Sequence, residues 1–287
     1  MQASDEDPRP MRDGDFELVT LRNGTRAVRH LGHGEVMHPS VGPWQEARAL
    51  YVEQSRLAEK LQHEGPPLRV WDVGLGAGTN AVAALTCARE LGQRQQRELE
   101  VVSFELDLAP LRLALADAQG FSFLQPFASA GNALLDGEPW SEARSRWEVH
   151  LGDAAKSWEK VREPADLIFF DPFSPASNPA LWTPAAFAKL RAHARDDGDG
   201  CTLVTYSAAT PTRVSLLLGG FFVGTGVATG MKKETTVAAT RRELLEQPLD
   251  ARWLARWERS AAQAPHGVEL SEEIRNAVRT HSQFPSR

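Results

Sequence analysis

The chain has 287 residues, of which 42% are hydrophobic and 24% are charged, and its formal net charge is −6. This length suits one large core with at most a small appended unit. No run approaches the roughly 18 apolar residues of a membrane span, and the N-terminus lacks the basic start and apolar core of a signal peptide. We therefore expect a cytoplasmic protein with no membrane partner. The negative net charge argues against an extensive nucleic-acid-binding surface but is compatible with a local basic patch.

Residues with metal-binding or disulfide chemistry are few. Cys87 and Cys201 are far apart, in a predicted helix and a predicted strand, so the sequence predicts no disulfide framework and no cysteine metal site. His33 and His38 lie in a glycine-containing loop and lack the spacing of metal ligands on a regular element. We expect no metal, and the sequence indicates no oligomeric state.

The N-terminal residues predict a disordered start followed by a small folded unit. Residues 1–14 are polar, acidic and contain prolines, which predicts disorder. The pair Asn23-Gly24 separates two β-rich runs, residues 16–22 and 25–31, and is a strong hairpin signal. Apolar residues at helical spacing then predict a helix over 44–63, with Pro43 in its first turn. Residues 15–64 should therefore form a β-hairpin and a helix.

Residues 65–240 alternate between strand and helix patterns. Strands are predicted at 68–73, 99–105, 147–151, 165–170 and 201–206, and helices at 79–92, 108–119, 184–195 and 211–218. Two closing strands, near 221–227 and 235–240, have no helix between them and should pair antiparallel. Such alternation is typical of a mainly parallel sheet with helices on both faces. Residues 120–146 lie outside this minimal core.

Residues 241–287 should form a C-terminal helical extension. Apolar residues at 253, 254 and 257, and again at 274 and 278, predict two short helices packed on the body or on a partner. Arginines in this segment alternate with acidic residues, which favours a solvated face.

A glycine-rich turn follows the predicted strand 68–73 and contains Gly74, Gly76 and Gly78. The dinucleotide-binding pattern needs its third glycine at Thr79 and an acid about 20 residues further on, earlier than Glu105. A G-x-G-x-G turn with an acid-ended second strand resembles motif I of the class I S-adenosylmethionine-dependent methyltransferases. The resemblance implies a Rossmann-like α/β fold with a mainly parallel seven-stranded sheet, and a turn that passes under the methionine part of the cofactor. It also implies that Glu105 holds the ribose.

Two more carboxylates follow predicted strands at the same sheet edge. Asp153 can accept a hydrogen bond from adenine or cap the following helix, and one Asp can do both. Asp171 follows two phenylalanines, and Pro172 and Pro175 stiffen the residues after it. Methyl transfer depends mainly on alignment, and a carboxylate can orient an amine acceptor and take its proton. The alternative for Asp171 is a purely structural loop cap.

The segment around Asp171 carries a more specific resemblance. The pattern Asp171-x-Phe173-x-Pro175-x-x-Asn178-Pro179-x-x-Trp182, with residues 200–207 and Arg213, is similar to the methyltransferase family of the tRNA 5-methylaminomethyl-2-thiouridine biosynthesis enzymes (MnmC-like). The similarity covers about residues 16–240 and includes Glu35, Trp44-Gln45-Glu46 and Lys232-Lys233-Glu234.

This resemblance implies methyl transfer from S-adenosylmethionine to the aminomethyl group on the tRNA wobble uridine. Asp171 is then the catalytic residue, and the implied cofactor-binding residues are Gln45, Gly74, Gly76, Gly78, Glu105, Asp153, Ala154 and Asp171. The implied partner is the tRNA anticodon loop, for which Lys232, Lys233, Arg213 and Arg241 could form a local basic patch. Bifunctional members carry an oxidase domain after this unit. The present sequence has no room for one, so we expect a stand-alone methyltransferase.

Two rival interpretations stay open. An aminopropyltransferase such as spermidine synthase shares the N-terminal hairpin and the nucleotide pocket, but its Asp-Ser-Ser/Thr-Asp-Pro loop is replaced here by residues 171–175, which lack the second acid. A non-catalytic protein of this fold would instead bind a partner through residues 241–287.

Overall fold

The computed structural model describes residues 11–37, 42–229 and 233–284. Its N-terminal part is an antiparallel sheet of β1 (Arg12–Asp13), β2 (Phe16–Thr20) and β3 (Arg26–His30). The predicted hairpin is confirmed, with Leu18 opposite Val28. The prediction of disorder for residues 1–14 is wrong at its end, because β1 pairs with β2, whereas residues 1–10 lie outside the described part.

The predicted helix 44–63 forms three segments rather than one. They are α1 (Pro43–Glu46), a π-helical segment (Ala47–Glu53) and α2 (Leu57–Gln62). In the π-helical segment the amide of Gln54 donates to the carbonyl of Ala49, five residues back. Arg56 has a φ of 57°, in the left-handed region, and separates this segment from α2. Segments of π-helix are rare and frequently lie at functional sites.

Within the described residues the main sheet contains eight strands, one more than predicted. They are β4 (Leu68–Val73), β5 (Leu99–Glu105), β6 (Trp140–Glu142), β7 (Ser145–Leu151), β8 (Leu167–Phe170), β9 (Thr202–Thr205), β10 (Phe222–Gly226) and β11 (Thr235–Ala239). Their order is β10-β11-β9-β8-β4-β5-β7-β6. The five strands from β9 to β7 in this order pair in parallel, and β10 pairs antiparallel with β11 as predicted. The additional strand, β6, is a three-residue edge strand from the stretch 120–146.

Helices cover both faces of this sheet. They are α3 (Thr79–Leu91), α4 (Ala109–Ala116), α5 (Ala128–Leu135), α6 (Ala154–Ser157), α7 (Pro184–Ala192), α8 (Thr210–Leu218), α9 (Ala251–Trp257) and α10 (Glu272–Arg279). Short 3₁₀ segments are Gly92–Arg94, Ser122–Phe127, Trp158–Lys160, Pro179–Trp182 and Arg242–Leu244. Two apolar clusters result, one between the sheet and α3 and α4, the other between the sheet and α7 to α10. Across the described ranges, none of the helices has the length and apolarity needed to cross a membrane.

The C-terminal extension packs on the body of the same chain. Trp253, Leu254 and Trp257 of α9 and Val278 of α10 are buried in the second apolar cluster. The side chain of Gln283 accepts from the amide of Val223 at 2.6 Å and donates to its carbonyl at 2.7 Å, which satisfies backbone groups of the edge strand β10. The sequence predicts packing of these helices on the body or on a partner, and the described residues show packing on the body.

Candidate active site

A cavity of about 730 Å³ opens at the carboxyl ends of β4, β5, β7 and β8. Ligand pockets of small molecules are typically of this size, and α/β sheets bind ligands at this edge. Six of the predicted site residues line it: Gly74, Gly76, Glu105, Asp153, Ala154 and Asp171. The structure therefore brings together residues that are up to about a hundred positions apart in the chain.

The glycine turn has the close approach that its sequence predicts. Gly74, Gly76 and Gly78 have φ values of 92°, 52° and 80°, in the region that favours glycine. A Cβ on Gly74 would lie 2.6 Å from the carbonyl oxygen of Asp171, so only glycine lets the ends of β4 and β8 meet.

Two predicted cofactor residues lie outside the cavity wall. A Cβ on Gly78 would lie 3.2 Å from Leu111 and 3.5 Å from Trp147, so this glycine faces the core. The side-chain oxygen of Gln45 lies 3.1 Å from the Cβ position of Gly42. Gly78 therefore shapes the turn, and Gln45 packs against the residue before α1.

The Glu105 carboxylate is fixed by backbone amides at the end of β5. Gly76 donates to its Oε2 at 2.8 Å, and Leu106 donates to its Oε1 at 2.7 Å. Burial raises the pKa of Glu105, and the hydrogen bonds from Gly76 and Leu106 oppose that rise. Each carboxylate oxygen can accept a second hydrogen bond. The group is thus oriented toward the cavity with capacity for two more donors.

Asp153 caps α6 and lines the cavity at the same time. Its Oδ1 accepts from the amide of Ala155 at 3.0 Å, as an N-cap residue does. The predicted capping role is therefore confirmed. Its role toward adenine stays a prediction.

Asp171 lies where the two central strands meet, and a buried amide holds it. Asn80, on the first turn of α3, donates from Nδ2 to Asp171 Oδ2 at 2.8 Å. Two tyrosine hydroxyls belong to the same environment: burial is the main cause that raises the pKa of Tyr51 and Tyr206, and the negative charge of Asp171 raises both further. Neither Asn80 nor Tyr51 was predicted from the sequence, because neither belongs to a recognisable local motif.

The loop after Asp171 is anchored to the N-terminal unit through Glu35. The Glu35 carboxylate accepts from Ser174 N at 2.9 Å, from Ser174 Oγ at 3.1 Å and from Ser177 Oγ at 2.6 Å. Farther along, Trp182 Nε1 donates to the carbonyl of Phe173 at 2.9 Å. The loop is therefore held at both ends, and its Glu35 anchor joins residues 139 positions apart.

The cavity wall is strongly acidic. Within the described ranges it contains seven carboxylates and neither lysine nor arginine; the acids are Asp15, Glu35, Glu46, Glu105, Asp107, Asp153 and Asp171. A wall with charges of one sign raises the local concentration of ligands of the opposite sign. The site therefore favours cationic ligands, such as a sulfonium or an ammonium group. Nowhere in the described part of the chain do three His, Cys, Asp or Glu residues gather in a metal-binding arrangement.

The predicted basic patch is wrong for Arg213. This residue is buried, and its guanidinium donates to Thr236 Oγ1, to the carbonyl of Thr235 and to Glu234. Arg241 donates to the carbonyl of Gly198, and Lys232 lies outside the described residues. Arg213 is therefore a structural residue that ties α8 to β11.

Known proteins resemble this chain in both sequence and structure. Residues 138–241 match a family model described as S-adenosyl-L-methionine-dependent methyltransferase. The tRNA 5-methylaminomethyl-2-thiouridine biosynthesis bifunctional protein MnmC of Methylibium petroleiphilum is 29% identical over 233 residues, which are 77% of this chain and 34% of that protein. The corresponding protein of Ralstonia nicotianae is 31% identical over 235 residues, 76% of this chain and 34% of its own. The chain thus spans about a third of the length of these relatives.

A solved structure matches over a larger share of both chains. The crystal structure of MNMC2 from Aquifex aeolicus has a TM-score of 0.69 and 27% identity, and the match covers 92% of this chain and 81% of that chain. Together with the strand order and the glycine turn, these matches define a Rossmann-like, S-adenosylmethionine-dependent methyltransferase of class I. Within that class, the chain is similar to the MnmC-like methyltransferases, as the Asp171–Trp182 segment predicts.

Proposed function

We propose that this protein transfers a methyl group from S-adenosylmethionine to the aminomethyl group on the wobble uridine of tRNA. The observation that carries the proposal is the Asp171–Trp182 loop, which resembles the tRNA enzymes in sequence and lies in the wall of the acidic cavity. The proteins MnmC of Methylibium and Ralstonia, named for 5-methylaminomethyl-2-thiouridine biosynthesis, support the choice of acceptor.

The residues present fit the cofactor. S-adenosylmethionine would supply an electrophilic methyl group on a cationic sulfonium. Gly74 and Gly76 let the backbone lie close to the methionine part, and Glu105 would accept hydrogen bonds from both ribose hydroxyls. Asp153 and Ala154 would contact the adenine at the end of β7. Gln45 and Gly78 are left out of this set because neither lines the cavity.

Asp171 would act on the acceptor amine. An alkylamine is protonated at neutral pH, and the resulting ammonium group has no lone pair until it loses a proton. The Asp171 carboxylate can orient the ammonium group and receive or relay that proton, while Asn80 keeps the carboxylate in place. The surrounding acids stabilise the positive charge of an ammonium group before and after transfer.

The tRNA anticodon loop would be the partner, and the cytoplasm the location. Because Arg213 is buried, phosphate contacts would come from other, exposed cations on a protein whose net charge is −6. Recognition would then depend mainly on an unstacked base bound in the cavity. A non-catalytic role through residues 241–287 is disfavoured because α9 packs into the body of the protein.

The test is a transfer assay with alternative acceptors. The protein and methyl-labelled S-adenosylmethionine are incubated with bulk tRNA from a strain blocked at the aminomethyl stage. A parallel reaction contains putrescine and decarboxylated S-adenosylmethionine. Label in a tRNA nucleoside supports the proposal. Aminopropyl transfer to putrescine, or no product in either reaction, contradicts it.

Asp171→Asn tests the role of this residue in the same assay. The substitution keeps the size and the bond to Asn80 but removes the charge. Turnover should fall by roughly two orders of magnitude or more, as expected for loss of an acid–base group, with cofactor affinity little changed. Near-normal single-turnover methylation by the mutant would show that Asp171 is only a structural loop residue.

A further inference from the structure

Four aromatic side chains of the cavity wall pack together beside the Asp171 loop. Phe16 and His30 come from the N-terminal sheet, His33 follows that sheet, and Phe173 lies two residues after Asp171. The His30 ring is central: its centroid lies 4.8 Å from that of Phe16, 4.5 Å from that of His33 and 5.6 Å from that of Phe173. We call these four rings the ring cluster.

The ring cluster is a built feature, because hydrogen bonds fix its members on both sides. His30 Nδ1 accepts from the amide of Gly32 at 3.0 Å and from that of His33 at 3.3 Å, which orients the imidazole. Glu35 holds the Phe173 loop against the same segment through Ser174 and Ser177. Two elements that are distant in the chain are thus joined where their aromatic rings meet.

Exposure increases along the cluster toward its outer end. Phe16 is buried at 6% relative exposure, His30 and Phe173 are half-buried, and His33 is exposed. Buried rings therefore lie behind outer rings that are half-buried or exposed. Base–aromatic stacking uses this kind of surface and tolerates different bases, because every base has a π face.

We propose that the ring cluster is the platform on which the target pyrimidine base stacks, with His33 and Phe173 as the contacting rings. This inference rests on the proposed function, since an enzyme that modifies a base must take it out of its stack. Phe173 and Asp171 line the same cavity, so a base on the platform would share that cavity with the Asp171 carboxylate and could extend its aminomethyl arm toward it. The acidic wall excludes phosphates, so the sugar–phosphate backbone stays outside the cavity.

His33→Ala tests the platform, with His33→Phe and His63→Ala as matched variants. His63 is exposed and lies outside the cavity wall. His33→Ala should weaken binding of an anticodon stem-loop by about tenfold, whereas His33→Phe, which keeps a stacking ring, should stay near wild type. His63→Ala should change nothing, and the affinity for S-adenosylmethionine should be equal in all four proteins.

A fluorescent pyrimidine at the wobble position of the stem-loop gives a readout that does not depend on catalysis. Wild type and His33→Phe should quench it on binding, and His33→Ala should not. Equal quenching by His33→Ala and wild type overturns the platform, as does no binding by wild type. If His33→Phe is as weak as His33→Ala, the imidazole nitrogens act instead of the ring face, which also overturns it.

The two proposals fail in different ways. Label transfer to tRNA with unchanged stem-loop binding in His33→Ala retains the proposed function and removes the platform. Quenching by wild type without label transfer to any tRNA nucleoside removes the proposed function and retains a pyrimidine-binding platform.

Discussion

Replacing Glu105 should weaken cofactor binding more than any other single change at the adenosine side of the cavity. The backbone amides of Gly76 and Leu106 already hold its two oxygens, so the carboxylate needs no reorganisation to accept the ribose hydroxyls. Hydrogen bonds to a charged group contribute about 1.5 to 3 kcal/mol each. Because Glu105 is only half-buried, we take the lower value for each of two bonds, about 3 kcal/mol together.

At 1.4 kcal/mol per tenfold change, that energy corresponds to a loss of affinity of roughly 100-fold in Glu105→Ala. Isothermal titration calorimetry with S-adenosylmethionine measures it directly. Glu98→Ala is the matched control: Glu98 is an exposed acid just before the opposite end of β5 and does not line the cavity. Affinity within threefold of wild type in a folded Glu105→Ala protein would refute the ribose assignment, and so would binding of NAD by wild type.

The pH dependence of cofactor affinity provides a second measurement on Glu105. Burial raises the pKa of this carboxyl, with the amides of Gly76 and Leu106 opposing the shift. A protonated carboxyl is a poorer acceptor, so affinity should decline as the pH falls through the raised pKa, starting at a higher pH than for an ordinary glutamate. Glu105→Gln should remove this part of the pH dependence; an unchanged profile in that variant would assign it to another group.

Three further predictions concern the framework of the site. Gly74→Ala should abolish cofactor binding, because its Cβ would lie 2.6 Å from a carbonyl oxygen. The control Gly137→Ala should retain cofactor binding, because Gly137 has a similar positive φ but no neighbouring atom within 4 Å. Equal effects of the two substitutions in a binding titration would point to φ strain alone. Asp250→Ala removes the N-cap of α9 and should lower the stability in urea unfolding by about 1 kcal/mol. Amide hydrogen bonds lower the pKa of Asp250, so its contribution to the free energy of unfolding is present above the unfolded pKa and is lost as the pH falls. The stability difference between Asp250→Ala and wild type should therefore vanish in acid. A stability difference that does not depend on pH would rule out the charged cap. Glu35→Gln should slow single-turnover methylation several-fold at unchanged cofactor affinity. Its effect should not add to that of Ser177→Ala, because both substitutions break the same hydrogen bond. Full additivity in the double variant would show that loss of the Glu35 anchor does not cause the slower methylation.

The sequence predicted several residues that line the cavity because their signals are local. Gly74, Gly76 and Glu105 each follow a strand whose apolar pattern is readable in a few residues, and parallel strands bring their carboxyl ends to one edge. These three residues therefore line one cavity, whereas Gln45 and Gly78 of the predicted set do not.

The acceptor side was less accessible to sequence reasoning because it is built from distant residues. The Glu35 anchor spans 139 positions, and the contact between Asn80 and Asp171 spans 91. The π-helical segment was also missed, since its apolar spacing lies close to that of an ordinary helix. Arg213 was assigned to a phosphate-binding patch because charge alone does not reveal that a guanidinium is buried.

The proposed reaction is methylation of the aminomethyl nitrogen of the wobble uridine. Mass spectrometry of nucleosides from tRNA of the blocked strain, incubated with S-adenosylmethionine and either wild type or Asp171→Asn, tests it most directly. We expect wild type to convert the aminomethyl nucleoside to its N-methyl derivative and Asp171→Asn to leave it unconverted. An unchanged aminomethyl nucleoside after incubation with wild type, or a methyl group on any other position, would rule out the proposed reaction.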